Sequence, residues 1–249
     1  MSAEVIVVAT GAPAGAGFTT RAGGVSGGPF ASLNLGPDRD DPDGNVRENR
    51  RRACDALGVD AASVSANRQV HGADVRAVDG APDGGFVAHL RDWPEADGLV
   101  TGAADAPLAV LGADCLPVLM WRRDRPRVGA AHAGWRGLVA GVLEATVAGL
   151  GDPAATGVAI GPGIGPCCYP VSPEVRDRFA ARFGDAVLAG EAVDLALAAR
   201  RALVAAGVPD AAIATVPACT SCEEARFFSY RRDGRGTGRQ AGIVWAGAA

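Results

Sequence analysis

Four short apolar runs follow one another with no helical segment among them: residues 99–101, 108–111, 118–121 and 128–132. Each is bounded by Gly, Asp, Pro or Arg and is too short for a stable helix, so each reads as a strand. A regular βαβ repeat would place a helix between successive strands. Runs of strands without helices therefore predict an α+β fold with a large mixed sheet. The flanking segments fit that frame. A first strand is expected at residues 5–9, and loops around short strands over 10–45. A helix is expected over 45–57, with Asn45 as N-cap and Gly58 as stop. Residues 63–70 read as a strand ending at His71-Gly72, and 78–95 as loop. A helix is expected over 138–150, a strand over 158–160, and helices over 173–183 and 192–206, the latter stopped by Gly207. Residues 208–216 lead to Cys219, and the tail, 227–245, reads as two strands around a Gly- and Arg-rich turn. No linker, repeat or low-complexity stretch divides the chain. Its 249 residues are expected to form a single domain, 1–249.

Composition removes several functions. The net charge of −4 argues against nucleic acid as a partner, because phosphate backbones need a basic face. No run reaches the roughly 20 apolar residues of a membrane span. No basic segment precedes the first apolar run, so no signal peptide is expected and a cytoplasmic location is. The six cysteines then read as thiols in a reducing compartment. All 24 basic residues are arginine. Schiff-base, pyridoxal-phosphate and Walker-lysine chemistry are excluded with lysine. Nothing in the sequence distinguishes a monomer from a homodimer.

Only three histidines are present, His71, His89 and His132. Two of them, with Cys115, share one local pattern: an apolar run, a potential ligand, then a glycine-rich or polar turn. These segments are Arg68-Gln69-Val70-His71-Gly72, Gly112-Ala113-Asp114-Cys115-Leu116-Pro117 and Ala130-Ala131-His132-Ala133-Gly134-Trp135-Arg136-Gly137. Side chains at strand ends are held rigidly while the next loop leaves room for substrate. Two imidazoles and a thiolate make a three-ligand set of the kind that leaves catalytic zinc an open position. The same set also suits copper. Two other readings stay open: His71 and His132 as ordinary strand-end histidines around a buried Cys115, and a metal-free Cys115–His nucleophile pair.

Other motifs weigh less. Cys219-Thr220-Ser221-Cys222 is a lone CxxC and reads as buried thiols, since a zinc ribbon needs a second pair. Cys167-Cys168 reads as a turn lining, and His89 as a surface residue. No histidine precedes x-Glu, which excludes the zinc base deaminases. The 161–165 glycines mimic a dinucleotide loop, but Pro162 and Pro166 spoil the helix start that loop requires. Arg136 stands at an expected helix start and could bind an anion. Arg50, Arg231 and Arg239 are weaker candidates, each open to a plain surface ion pair.

The same segments carry a family resemblance. Phe18-Thr19-Thr20-Arg21, Ser32-Leu33-Asn34-Leu35-Gly36, Gln69-Val70-His71-Gly72, Ala96-Asp97-Gly98 and Ala113-Asp114-Cys115-Leu116-Pro117 belong to it. So do His132-Ala133-Gly134-Trp135-Arg136-Gly137, Gly161-Pro162 with Cys167-Cys168-Tyr169, and Phe228-Ser229-Tyr230-Arg231-Arg232-Asp233 with Thr237-Gly238-Arg239. In this order they resemble the laccase-domain family, also called multicopper polyphenol oxidases or peptidoglycan editing factors. The resemblance implies a four-layer α/β/β/α, cysteine-hydrolase-like fold. It implies one metal, usually zinc, on His71, Cys115 and His132, with copper as the alternative. It implies phosphorolysis of adenosine, inosine and methylthioadenosine, with adenosine deamination beside it. The partners implied are a purine nucleoside and phosphate. Arg136 is expected to orient phosphate, Asn34 to hold the nucleoside, and Arg50 and Arg231 to assist. A single-copper phenol oxidase, a metal-free cysteine hydrolase and a non-catalytic editing factor are the competing readings. A true multicopper oxidase needs about ten histidines for its copper centres, and three cannot supply them.

Overall fold

Strand side chains alternate between faces, and that alternation sets the layers of this chain. The computed structural model describes residues 2–10, 14–37, 40–80, 85–88 and 93–247. One sheet has the order β1 (Val5–Val8), β2 (Ala14–Thr19), β12 (Gln240–Ala246), β5 (Leu108–Gly112), antiparallel throughout. The second has the order β11 (Ile213–Thr215), β8 (Thr156–Ile160), β6 (Leu116–Arg122), β7 (Val128–Ala133), β4 (Gly98–Thr101), β3 (Val75–Val78). It is mixed, with β3–β4 and β8–β11 parallel and the other pairs antiparallel. A small hairpin joins β9 (Leu188–Ala189) to β10 (Ala192–Val193).

Alternate residues of one strand serve different cores. Leu108 and Val110 of β5 pack between the sheets with Leu119 and Trp121 of β6. Ala109 and Leu111 face the other way, onto Ala53, Cys54 and Leu57 of α1 (Asp43–Leu57). Val118 and Met120 of β6 face the opposite side. There they meet α2 (Trp135–Ala140), α3 (Val142–Leu150), α4 (Pro173–Phe183) and α5 (Leu195–Ala205). The result is helix, sheet, sheet, helices, the expected four layers.

Phe18 marks the centre of the inter-sheet layer. It is fully buried, and a Cβ at Gly161 would lie 2.3 Å from its ring. Removing that ring leaves a cavity that neighbouring backbone cannot refill. Phe18→Ala should cost about 3–5 kcal/mol, read as a lower urea midpoint at unchanged slope.

Local structure departs from expectation at several places. Residues 63–70 form no strand; their ladder pairing is limited to the isolated bridges Ser65–Leu108 and Arg68–Glu95. Gln69 replaces backbone pairing with its side-chain amide, which accepts from Leu111 N–H and donates to Leu111 O, both at 2.8 Å. The helix expected over 138–150 begins at Trp135 and breaks at Gly141, whose φ of 94° belongs to the left-handed region. Of the two strands expected in the tail, only β12 forms. The other segment contains the turn α6 (Tyr230–Asp233), capped by the Ser229 hydroxyl accepting from Arg232 N–H. Helix α1 starts at Asp43, two residues before the expected cap, and ends on Gly58 as expected. His89 lies outside the described residues. No helix among those described is long and apolar enough to cross a membrane.

Candidate metal centre

The chain passes from one sheet to the other between β5 and β6, and Cys115 sits at that crossing. His132 lies on β7, opposite Pro117 of β6. His71 follows the Gln69 segment that is clipped to β5. These three elements bring the ligand atoms of His71, Cys115 and His132 within 4.8 Å of one another. The two imidazoles meet edge to face, with centroids 4.9 Å apart.

Asp97 organises the cluster. Its Oδ1 accepts from His71 N–H at 3.0 Å and from His132 Nδ1 at 2.8 Å. Its Oδ2 accepts from Val70 N–H at 3.0 Å and Gly72 N–H at 2.7 Å. Burial opposes a charge on Asp97, but these donors hold its carboxyl below the usual range. With Nδ1 committed to the carboxylate, His132 keeps Nε2 for a cation.

Strain collects at the same place. His71, with φ of 62°, and Asp114, with φ of 90°, are the non-glycine residues with positive φ among those described. Such conformations cost about 1–3 kcal/mol each and persist only where the surroundings impose them. Around His71 the constraint is Asp97. Around Asp114 it is a buried carboxylate that accepts from Thr220 Oγ1 at 2.7 Å and Arg231 N–H at 2.6 Å.

The donor chemistry fits a metal. Burial opposes ionisation of the Cys115 thiol, but the charge of His132 and hydrogen bonds from both histidines bring it down to about 6. Burial likewise opposes charge on His132, while Cys115 and Asp97 push it up to about 9. Both shifts favour the thiolate that a soft cation needs. Gly134 keeps the approach open: a Cβ there would lie 2.7 Å from Cys115 Sγ and 3.3 Å from His71 Cδ2.

The cluster opens into a cavity of about 640 Å³ whose walls include Trp135, Arg136, Tyr169, Tyr230, Arg231 and Arg239. That volume suits a small-molecule ligand. Arg136 is exposed, stacks over Trp135 at 4.4 Å, and makes no hydrogen bond or ion pair among the described residues. Its helix, α2, has six residues, so the expected helix-start contribution is small. Arg231 stacks over Tyr169 at 4.7 Å and donates to Pro170 O at 2.8 Å.

Two expected substrate residues are not brought to the cavity. Asn34 is buried one loop behind it. Its amide donates to Gly36 O and Asp41 Oδ2 and accepts from Gly36 and Arg239 N–H, so it orders the wall. Arg50 is buried in α1, donating to Leu35, Phe86 and Ala88 carbonyls and stacked on Phe86 and Trp93. The sequence reading assigned no role to Asp97 or Asp114, although both stand in quoted motifs. Cys167 and Cys168 lie in a turn, Pro166–Cys168, as expected, whereas Cys219 is half-buried and Cys222 exposed rather than buried thiols.

These layers and this His₂Cys cluster define a mixed α/β protein with a cavity that carries a possible metal-ligand set in its wall. A family described as multi-copper polyphenol oxidoreductase laccase matches residues 15–247, and the chain belongs to it. The purine nucleoside phosphorylase YlmD of Geobacillus stearothermophilus is 40% identical over 92% of this chain and 89% of its own length. The purine nucleoside phosphorylase SCO2081 of Streptomyces coelicolor is 45% identical over 92% of this chain and 94% of its own. The crystal structure of YlmD superposes with a TM-score of 0.87 at 38% identity, covering 97% of this chain and 94% of that one.

Proposed function

We propose that this protein is a metal-dependent purine nucleoside phosphorylase acting on adenosine, inosine and methylthioadenosine, with adenosine deaminase activity beside it. The observation that carries the reading is the His71–Cys115–His132 cluster opening into a cavity whose wall presents an uncommitted arginine and three aromatic side chains. The relatives' names point to the same chemistry. In phosphorolysis a phosphate oxygen forms a bond to the anomeric carbon as the bond to the base nitrogen breaks. The electron pair leaves with the base, which takes up a proton, and ribose 1-phosphate remains.

His71, Cys115 and His132 would hold the metal, with zinc the ion that fits three ligands and an open position. A bound metal would supply Lewis-acid stabilisation of negative charge. Among the described residues no partner takes the Arg136 guanidinium donors, which meet the phosphate as a planar fork. Trp135, Tyr169 and Tyr230 offer faces and edges for the purine ring. Asp97 and Asp114 keep the two strained ligand loops in place.

Arg136→Ala should raise KM for phosphate about 10- to 100-fold, the worth of one or two hydrogen bonds to a charged group, while KM for inosine moves little. Initial-rate kinetics with each substrate varied checks this. The reading itself is tested by incubating pure protein with adenosine and following adenine and inosine by chromatography. Adenine should form faster with phosphate present, and inosine should form with or without it. Adenine formation indifferent to phosphate would sink the phosphorylase reading. The oxidase name draws no support from the ligand inventory, since three histidines cannot build several copper centres.

A further inference from the structure

A second cluster of ligand atoms lies outside the cavity. The Sγ atoms of Cys167, Cys168, Cys219 and Cys222 all fall within 4.8 Å of one another. Cys222 Sγ is 3.5 Å from Cys167 Sγ and 3.3 Å from Cys168 Sγ. None of the four is in a disulfide, whose sulfurs would be about 2.05 Å apart. We propose that these four cysteines form a second metal site, a tetrahedral four-thiolate zinc centre with a structural role.

The spacing carries the argument. Zinc binds thiolate at about 2.3 Å, and four such sulfurs around one ion stand about 3.8 Å apart. The two Cys222 separations, 3.3 and 3.5 Å, fall slightly short of that value, and no pair exceeds 4.8 Å. They leave room for one ion and not for a polynuclear iron–sulfur cluster, whose thiolates bind separate irons. Chance convergence is also a poor account of four thiols from segments 51 residues apart, between Cys168 and Cys219, meeting near the surface. Free exposed thiols are an oxidation liability unless something binds them.

The backbone holds the two segments in register without the ion. Gly163 and Cys219 form a parallel bridge, and Thr220 N–H donates to Gly163 O at 3.0 Å. Gly165 N–H donates to Cys219 Sγ at 3.2 Å, the kind of bond that steadies a ligating sulfur. The Pro166–Cys168 turn is closed by Cys168 N–H donating to Gly165 O at 3.0 Å. Gly165 is itself confined, since a Cβ there would lie 3.3 Å from Cys167 Sγ and from Cys219 Cβ. The adjacent pair Cys167-Cys168 thus stands where a second CxxC would otherwise be needed.

The site has a structural use. Tyr169, which follows Cys168, lines the cavity. Thr220, which follows Cys219, donates to Asp114 beside Cys115. One ion would therefore pin together two loops that support the cavity wall, at a point that touches no substrate.

The test is metal counting on protein purified under reducing conditions without a metal-affinity column. The wild type should hold two zinc per chain, Cys219→Ser/Cys222→Ser one, and His71→Ala/His132→Ala one. Cobalt substitution needs no cysteine variant. In His71→Ala/His132→Ala the cobalt protein should keep intense thiolate-to-metal absorption of a four-sulfur tetrahedral centre. A single zinc in the wild type that survives in Cys219→Ser/Cys222→Ser would overturn the proposal. So would cobalt-loaded His71→Ala/His132→Ala without charge-transfer bands, or a disulfide among these cysteines in freshly made protein.

Discussion

Cys115→Ser is expected to lower the rate of inosine phosphorolysis by about 1,000-fold or more while the fold persists. A metal's stabilisation of transition-state charge is worth several kcal/mol, and each 1.36 kcal/mol is tenfold in rate. Serine is nearly isosteric, and Cys115 is only half-buried, so the packing cost is small. A hydroxyl cannot replace the thiolate, whose ionisation the two histidines favour. His71→Ala should give the same loss, because the set fails when any member leaves. Loss in both variants also fits a metal-free Cys115–His nucleophile pair, and a chelator separates the two. That alternative predicts activity surviving a chelator, whereas the account requires its loss and recovery on adding zinc. Turnover, metal content and circular dichroism of the two variants decide the matter together.

The second large effect belongs to a residue that touches no substrate. Asp97→Asn should weaken metal affinity by about 10- to 100-fold, the usual effect of removing a ligand's hydrogen-bond partner. It should also destabilise the fold by about 2–4 kcal/mol. The substitution is not conservative here, because both carboxylate oxygens are acceptors for two donors each. An asparagine can offer only one oxygen. Its amide would face either the Val70 and Gly72 N–H groups or His71 N–H and His132 Nδ1, leaving two partly or fully buried donors unpaired at about 1–2 kcal/mol per group. His71, held at φ of 62° by these bonds, should relax away from the other two ligands. Competition with a chromophoric chelator reads the affinity, and urea unfolding reads the stability. Unchanged affinity with lost stability would make Asp97 a folding residue alone.

Much of this was legible in the residues. The runs at 99–101, 108–111, 118–121 and 128–132 became β4 to β7, because short apolar segments between turn residues have few other ways to bury themselves. Gly58 marked the end of α1 because it alone could take the left-handed cap. The tail misled because Phe227 and Phe228 are fully buried without a strand around them. The N-cap Ser229 and the stop Gly234 were the missed signals there. The segment at 63–70 misled because a side-chain amide can imitate a strand's hydrogen bonds, which no periodicity reveals. In the site, His71, Cys115 and His132 stood out by residue type. Asn34 and Arg50 stood out equally but lie behind the wall and in the core, since polarity in a sequence does not tell which partners a side chain will meet in the fold. Asp97 and Asp114 went unassigned because their importance lies in backbone donors brought from 25 to 117 residues away.

Phosphorolysis that depends on an ion held by His71, Cys115 and His132 should be lost when a chelator strips the wild type and should return as zinc is added back stepwise, with bound zinc and ribose 1-phosphate from inosine measured in the same samples. The rate should return in proportion to occupancy of that site, and His132→Ala should recover nothing however much zinc it holds elsewhere. Full turnover by metal-free protein, or by His132→Ala, would contradict that dependence.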